Sequence, residues 1–239
     1  MIPATLDILA IAAHRDDVEQ TCGGTLLKAA QRGQRTGILD LTQGEMGTRG
    51  SAEDRAREAA DAAKILGVSW RNALDIPDGR VENTWENRLK VASVIRETRP
   101  RLVILPYWKG RHPDHYTCSI LGYEACFLAG LKKLEISAEP YRSFKIIYAT
   151  LYYGIRPTFV VDITSQFEPK LASIFAYKSQ FSDQEAGKDL FPAHNEIRAR
   201  VESMARFYGA LGGVTHAEPF IQKEVGLVED LLAIPVKSI

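Results

Sequence analysis

Apolar residues fall in short blocks along the chain, separated by polar loops that carry glycine. Leu6 to Ile11 is a run of Leu, Ile and Ala without helical periodicity, too short for a helix, and reads as a buried strand. Thr36 to Thr42 and Leu102 to Leu105 repeat that pattern, and Leu74 to Gly79 reads as a short third strand followed by a turn. Between the strands lie helical patterns. Gly23-Gly24-Thr25 opens one over Leu26 to Ala30 that ends near Gly33. Ser51 and Asp54 make a capping-box-like start for Ala52 to Leu66, which stops at Gly67. Asn83 to Thr98 is amphipathic, with Leu89, Val91, Val94 and Ile95 inward, and Pro100 closes it. Strand and helix alternating in this way predict an α/β fold: a Rossmann-like, doubly wound, largely parallel sheet with helices on both faces.

The second half is less regular. A helix is expected over Thr117 to Ala129, strands over Lys145 to Tyr153 and Thr158 to Ile163, and helical structure over Gln166 to Gln180 and Asn195 to Leu211, the last closed by Gly212-Gly213. Tyr148, Tyr152 and Tyr153 alternate with apolar neighbours in the first of those strands. Phe181 to Leu190 reads as a polar loop, and the apolar residues of the tail, Leu227 to Ile239, are expected to cap the core or an oligomer interface. No repeat, low-complexity run or linker interrupts the chain, so residues 1–239 are taken as one domain.

Composition narrows the class. At 239 residues, 45% hydrophobic and 25% charged, the chain is long enough to bury a sizeable core. Its 30 basic and 30 acidic residues give a formal net charge of zero, which argues against nucleic acid or an anionic membrane as partner. No apolar stretch approaches the roughly 20 residues that span a bilayer. Met1-Ile2-Pro3 leads into the first strand without a basic leader, so a cytoplasmic location is expected. The three cysteines, Cys22, Cys118 and Cys126, form no CxxC pair and read as small buried residues, Cys22 in the first turn of a helix.

The chemistry is concentrated behind two of the strands. His14-Arg15-Asp16-Asp17 follows the first, and Arg111-His112-Pro113-Asp114-His115 follows Leu102 to Leu105. In open α/β sheets that edge is where sites form. A catalytic zinc takes three protein ligands and leaves a position for water, and His14, Asp17 and His115 meet that count. An ion held there would make hydroxide available near neutral pH. Asp16, next to a ligand but offset from it, is the candidate general base. His112 would stand across the site as a cation, stabilising an oxyanion or protonating a leaving amine. Asp114 either orients His112 or N-caps the helix ahead of Tyr116. A different class, a nucleotide-binding protein using the Gly23-Gly24 turn, lacks GxGxxG and the P-loop lysine and would set acidic residues against a phosphate.

The two clusters in this order, with Gly44-Glu45-Met46-Gly47-Thr48-Arg49-Gly50 and Arg55 between them, resemble the LmbE/PIG-L family of zinc-dependent N-acetylglucosaminide deacetylases. Within it the chain is most similar to the bacillithiol-biosynthesis enzymes that deacetylate N-acetylglucosaminyl-L-malate. The resemblance implies zinc, or ferrous iron in its place, on His14, Asp17 and His115, with Asp16 as base and His112 as the electrostatic or acid partner. It implies Arg55, Arg111 and Glu45 at the substrate, with Arg111 holding a carboxylate. An inositol- or oligosaccharide-linked N-acetylglucosamine is the alternative substrate. Arg15 stands where the family usually has proline, a change that alters the loop or adds positive charge by the site. Glu58, His194 and His216 are weaker candidates for the rim. The expected partner is a small sugar conjugate, with the chain itself a homo-oligomer.

Overall fold

A computed structural model describes residues 5–136, 138–151, 153–182 and 192–236. Its sheet has seven strands: β1 (Ile8–Ala12), β2 (Thr36–Asp40), β3 (Trp70–Ala73), β4 (Leu102–Pro106), β5 (Lys145–Ala149), β6 (Phe159–Asp162) and β7 (Ala217–Ile221). They lie in the order β3-β2-β1-β4-β5-β7-β6. The first five in that order pair in parallel, and β7 runs antiparallel to β5 and β6. From β1 the chain winds outward through β2 and β3, then returns to β4 on the other side. The order therefore reverses between β1 and β4, which pair with Ile8 opposite Leu102 and Ala10 opposite Ile104. Both polar clusters open from this switch point.

Side chains alternate faces along a strand, and here they build two cores. Leu9, Ile11, Val103 and Leu105 pack with α3 (Trp85–Thr98) and α4 (Pro113–Ala129). Ala10, Ala12, Ile38 and Ile104 pack with Val18, Cys22 and Leu26 of α1 (Asp17–Gln31). A strand buried on both sides has no polar face to show, so β1 and β4 read as unbroken apolar runs. The Ser51–Asp54 capping box starts α2 (Ala52–Ile65), and Gly67, at φ 64°, ends it. Gln166 to Gln180 is not one helix but a short turn, α5 (Phe167–Phe175) and α6 (Lys178–Phe181). Tyr177 breaks it by turning inward, where its hydroxyl donates to Glu19 at 3.0 Å. The last helix, α7 (His194–Gly212), ends at Gly213.

Two expectations change. The third strand is Trp70–Ala73, upstream of Leu74: its Arg71 is drawn onto the Asp40 carboxylate of β2, at 2.9 and 3.1 Å, so a polar stretch forms this edge. Leu74 and Ile76 keep backbone bonds to Asp40 and Leu41 before the chain leaves as a loop. The tail does not cap the core in its described part, where Leu227 and Leu232 are more than nine-tenths exposed. The loop expected over Phe181 to Leu190 lies, from residue 183 on, outside the described residues, as does Tyr152. Among the described residues no helix is long and apolar enough to cross a membrane.

β7 has no counterpart among the expected elements, because Pro219 and a buried Glu218 disguise it. The proline is tolerated because β5 pairs only with Phe220 and Ile221. Glu218 has a specific task. Helix α1 breaks at Cys22 (φ −140°, ψ 19°), and the Glu218 carboxylate accepts from the amides of Gly24 and Thr25 at 2.9 and 2.7 Å, while Lys170 neutralises it at 2.6 Å. The amides that a nucleotide phosphate would need are thereby taken. Glu218→Ala would strand the buried Lys170 ammonium and is expected to cost about 3–5 kcal/mol of stability, read from urea unfolding. An unchanged unfolding midpoint would remove this pair from the structure's supports.

Candidate active site

The end of β1 turns sharply into α1. Asp16 makes the turn at φ 100°, a left-handed conformation that aspartate tolerates better than most residues, and Asp17 begins the helix. The Asp17 carboxylate accepts from the His14 amide at 2.9 Å, which fixes it under the strand end. Beyond β4, His112 is the N-cap of α4: its Nδ1 accepts from the Asp114 amide at 3.3 Å, and Pro113 occupies the first turn.

These two turns bring three donor groups together. His14 Nδ1 lies 3.2 Å from His115 Nε2 and 3.3 Å from Asp17 Oδ2, and His115 Nε2 lies 3.2 Å from Asp17 Oδ1. Bonds of about 2.0–2.2 Å to a tetrahedral ion set ligand atoms about 3.3–3.6 Å apart, so the trio fits such an ion closely. His112 has a ring nitrogen within 4.8 Å of those of His14 and His115, stacked on His115, but it is exposed and its Nδ1 is engaged at the helix cap. It borders the trio.

The far nitrogen of His14 faces two more carboxylates, Asp78 Oδ1 at 3.1 Å and Asp114 Oδ2 at 3.2 Å. A histidine held in this way on one nitrogen presents the other to a metal. Asp114 thus serves His14 and neither orients His112 nor caps the helix. It sits one residue inside α4 and turns toward the Gly79 and Val81 amides, which donate to it at 2.8 and 3.2 Å. Burial pulls the His14 imidazole down, but hydrogen bonds to Asp114 and Asp17 outweigh it and push its pKa up to about 12. Burial would raise Asp17, yet His115 and His14 hold it well below the usual carboxylate range. Three carboxylates around one imidazole call for added positive charge, which a divalent cation held at the trio would supply.

A cleft of about 680 Å³ opens over the trio, bordered by Asp16, Arg55, Arg111, His112, Tyr107 and Tyr153. Its size is that of a small-molecule site. Asp16 Oδ1 is 3.3 Å from Arg55 Nη2, and burial pushes the Asp16 carboxyl up to about 7 against the pull of that guanidinium. Burial, then the charges of His14 and His115, hold His112 below the ordinary histidine range.

A family model described as PIG-L, GlcNAc-PI de-N-acetylase, matches residues 9–126, which span both clusters. The diacetylchitobiose deacetylase of Thermococcus kodakarensis is 32% identical over 227 residues, 88% of this chain and 80% of that protein. The chain belongs to the PIG-L deacetylase family. Among solved structures it is similar to the conserved protein TT1542 of Thermus thermophilus (39% identity, TM-score 0.86, 94% of this chain and 98% of that one). The N,N'-diacetylchitobiose deacetylase of Pyrococcus horikoshii matches at 29% identity and a TM-score of 0.79, over 89% of this chain and 82% of that one.

In this PIG-L chain the remaining candidates divide. Arg55 is buried and faces the cleft, not a solvated helix face; it also donates to the Arg15 carbonyl. Arg15 adds no charge to the cleft. Its guanidinium turns back to the Gln43 and Ala52 carbonyls, at 3.2 and 2.8 Å, and ties the Gln43–Gly50 loop to the start of α2. Arg111 lies exposed on the cleft wall. Glu45 is not on that wall: its carboxylate accepts the Asp78 amide at 2.7 Å. Glu58 holds Ser179, His194 stacks on Phe175, and His216 stacks on Phe167, so none of the three lines the cleft. Asp78 was not among the expected site residues. Its signal, a carboxylate just beyond an apolar stretch at Ile76-Pro77-Asp78-Gly79, was faint because the stretch is not a strand.

Proposed function

We propose that this chain is a zinc-dependent deacetylase of an N-acetylglucosaminide. The convergence of His14 Nδ1, Asp17 and His115 Nε2, with Asp16 beside them on the cleft wall, carries the reading. When bound, the ion supplies a Lewis acid and an activated water. Asp16 accepts the proton of the attacking water, and the Arg55 ion pair aims its carboxylate. His112, whose Nδ1 accepts at the helix cap, donates its Nε2–H to charge growing on the amide oxygen, and the proton taken by Asp16 passes to the departing amine. His14 is oriented for its task by Asp114 and Asp78. The sugar product is a free amine and the other product is acetate. We place the reaction in the cytoplasm, where the buried thiols of Cys22, Cys118 and Cys126 stay reduced.

The favoured substrate is N-acetylglucosaminyl-malate, as in bacillithiol biosynthesis, because Arg111 brings an exposed guanidinium to the wall one residue before His112. A neutral disaccharide is the second reading. The similarity to two diacetylchitobiose deacetylases favours it, as does the Tyr107–Tyr153 pair on the wall, with centroids 5.6 Å apart. Acetate release from the malate conjugate, N,N'-diacetylchitobiose and free N-acetylglucosamine decides between them. A charge-assisted pair is worth about 1.5–3 kcal/mol, so Arg111→Ala should lower kcat/KM for the malate conjugate by about 10–150-fold and leave diacetylchitobiose nearly unchanged. Equal kcat/KM for charged and neutral substrates in the unmodified protein would remove the malate reading. Acetate release from none of the three would remove the deacetylase reading itself.

A further inference from the structure

We infer that Glu45 and Asp78 form a relay by which the cleft loop sets the metal affinity of His14, both acting as positioning residues. The inference rests on the metal centre proposed above. Three polar groups of Asp78 are committed in three directions. Its amide donates to Glu45 Oε1 at 2.7 Å, its Oδ2 accepts from the Met46 amide at 3.0 Å, and its Oδ1 stands 3.1 Å from His14 Nε2. Pro77 before it and Gly79 after it, at φ 74°, fix the turn. The loop residues next to Glu45, namely Met46, Gly47 and Thr48, line the cleft. The segment that would face substrate is therefore bonded, through one aspartate, to a histidine of the donor trio.

Asp114 holds the same nitrogen, at 3.2 Å, with its carboxylate fixed by the Gly79 and Val81 amides. The two carboxylates share one N–H, so removing either leaves a second anchor. The effect of the loop on the metal is accordingly graded. Partners of this kind change metal affinity by about 10–100-fold when removed. Asp78→Asn loses the charge and can accept from only one of its two donors, so a loss near the lower end of that span, at least about 10-fold, is expected for it. Glu45 acts one step further out and holds only the Asp78 amide, so Glu45→Ala should weaken zinc less, by roughly 3–10-fold, below that span for a direct partner. Coupling is reciprocal: whatever the loop contributes to zinc affinity, zinc returns as order in the loop.

Zinc affinity by competition with a chromophoric chelator tests the relay without reference to turnover. Wild type, Glu45→Ala, Glu45→Gln and Asp78→Asn are compared. Glu45 is exposed, so its variants should fold, which thermal melting of the metal-free proteins checks. Expected are weaker zinc in Glu45→Ala, recovery in Glu45→Gln, whose amide oxygen still accepts the Asp78 N–H, and the largest loss in Asp78→Asn. Hydrogen exchange at the Met46 amide should slow when zinc binds to wild type and slow less in Glu45→Ala. Turnover lost by Glu45→Ala at limiting zinc should return at saturating zinc, whereas a substrate-binding Glu45 would raise KM at any zinc level. Wild-type zinc affinity in Glu45→Ala, or equal loss in the Ala and Gln variants, overturns the relay alone, provided His115→Ala loses the metal. Failure of wild type to bind zinc overturns the relay together with the metal centre beneath it.

Discussion

Asp16→Asn should lower kcat by about 10²–10⁴-fold while zinc content stays at the wild-type level. The carboxylate lies on the cleft wall beside the donor trio but takes no part in its short contacts, and its charged neighbour is Arg55 at 3.3 Å. Removing its basicity should leave the ligands in place. Asparagine is the right probe because residue 16 sits at φ 100°, where alanine would add backbone strain and mix a folding effect into the kinetics. The amide keeps the shape and an acceptor for Arg55 but cannot take a proton from water. Single-turnover acetate release on protein assayed for metal separates the two effects. Wild-type turnover in the Asn variant would place the base elsewhere in the cleft.

How much of this was legible before folding depends on whether the signal is local. The β1 and β4 runs are apolar because both faces of each strand are buried, and a polar cluster directly after a strand can only emerge at its end. Placing His14, Asp17 and His115 in one site follows from that, since β1 and β4 are neighbours at the switch point. The capping box at Ser51 was equally local. β7 was not legible, because Glu218 looks like a surface residue until the amides of Gly24 and Thr25, almost 200 positions earlier, are seen to bond to it. β3 failed for the same reason: Arg71 makes an edge strand only by virtue of Asp40 and, at 2.6 Å, Glu19.

Within the site, sequence proximity misled where helix geometry decides. Asp114 stands two residues from His112, which suggests a pair. An N-cap side chain, though, folds toward its own helix's amides, while the residue two positions on points away from them. The result pairs His112 with an amide and Asp114 with His14, 100 positions earlier. Arg15 and Glu45 differ likewise from expectation. Both are charged residues next to chemistry, yet each spends its charge on backbone groups, Arg15 on two carbonyls and Glu45 on one amide. Nothing in a one-dimensional pattern distinguishes a charge aimed at substrate from one aimed at a loop.

That geometry also ranks the three ligand substitutions. His14, Asp17 and His115 should each be needed for tight zinc, but only His115→Ala should give a clean answer. His14 lies among Asp17, Asp78 and Asp114, so His14→Ala leaves three buried or half-buried carboxylates facing one another and is expected to destabilise even the metal-free protein. Asp17→Ala removes the acceptor of the His14 amide, at 2.9 Å, and loosens the turn that carries Asp16. His115 has Asp17 as its one ion-pair partner among the described residues, at 3.2 Å, and lies on the first turn of a helix that is capped without it. His115→Ala leaves Asp17 the His14 amide and ring as partners, so it should lower the metal-free melting temperature least of the three and lose most of the bound zinc. Zinc at 100 times its dissociation constant adds about 2.7 kcal/mol to stability. Wild type should accordingly melt several degrees lower after chelation, and His115→Ala should melt at the same temperature with and without chelator. Stoichiometric zinc and a chelator-sensitive melt in His115→Ala would take His115 out of the ligand set and leave His112, with a nitrogen within 4.8 Å of the His14 ring, as the third donor.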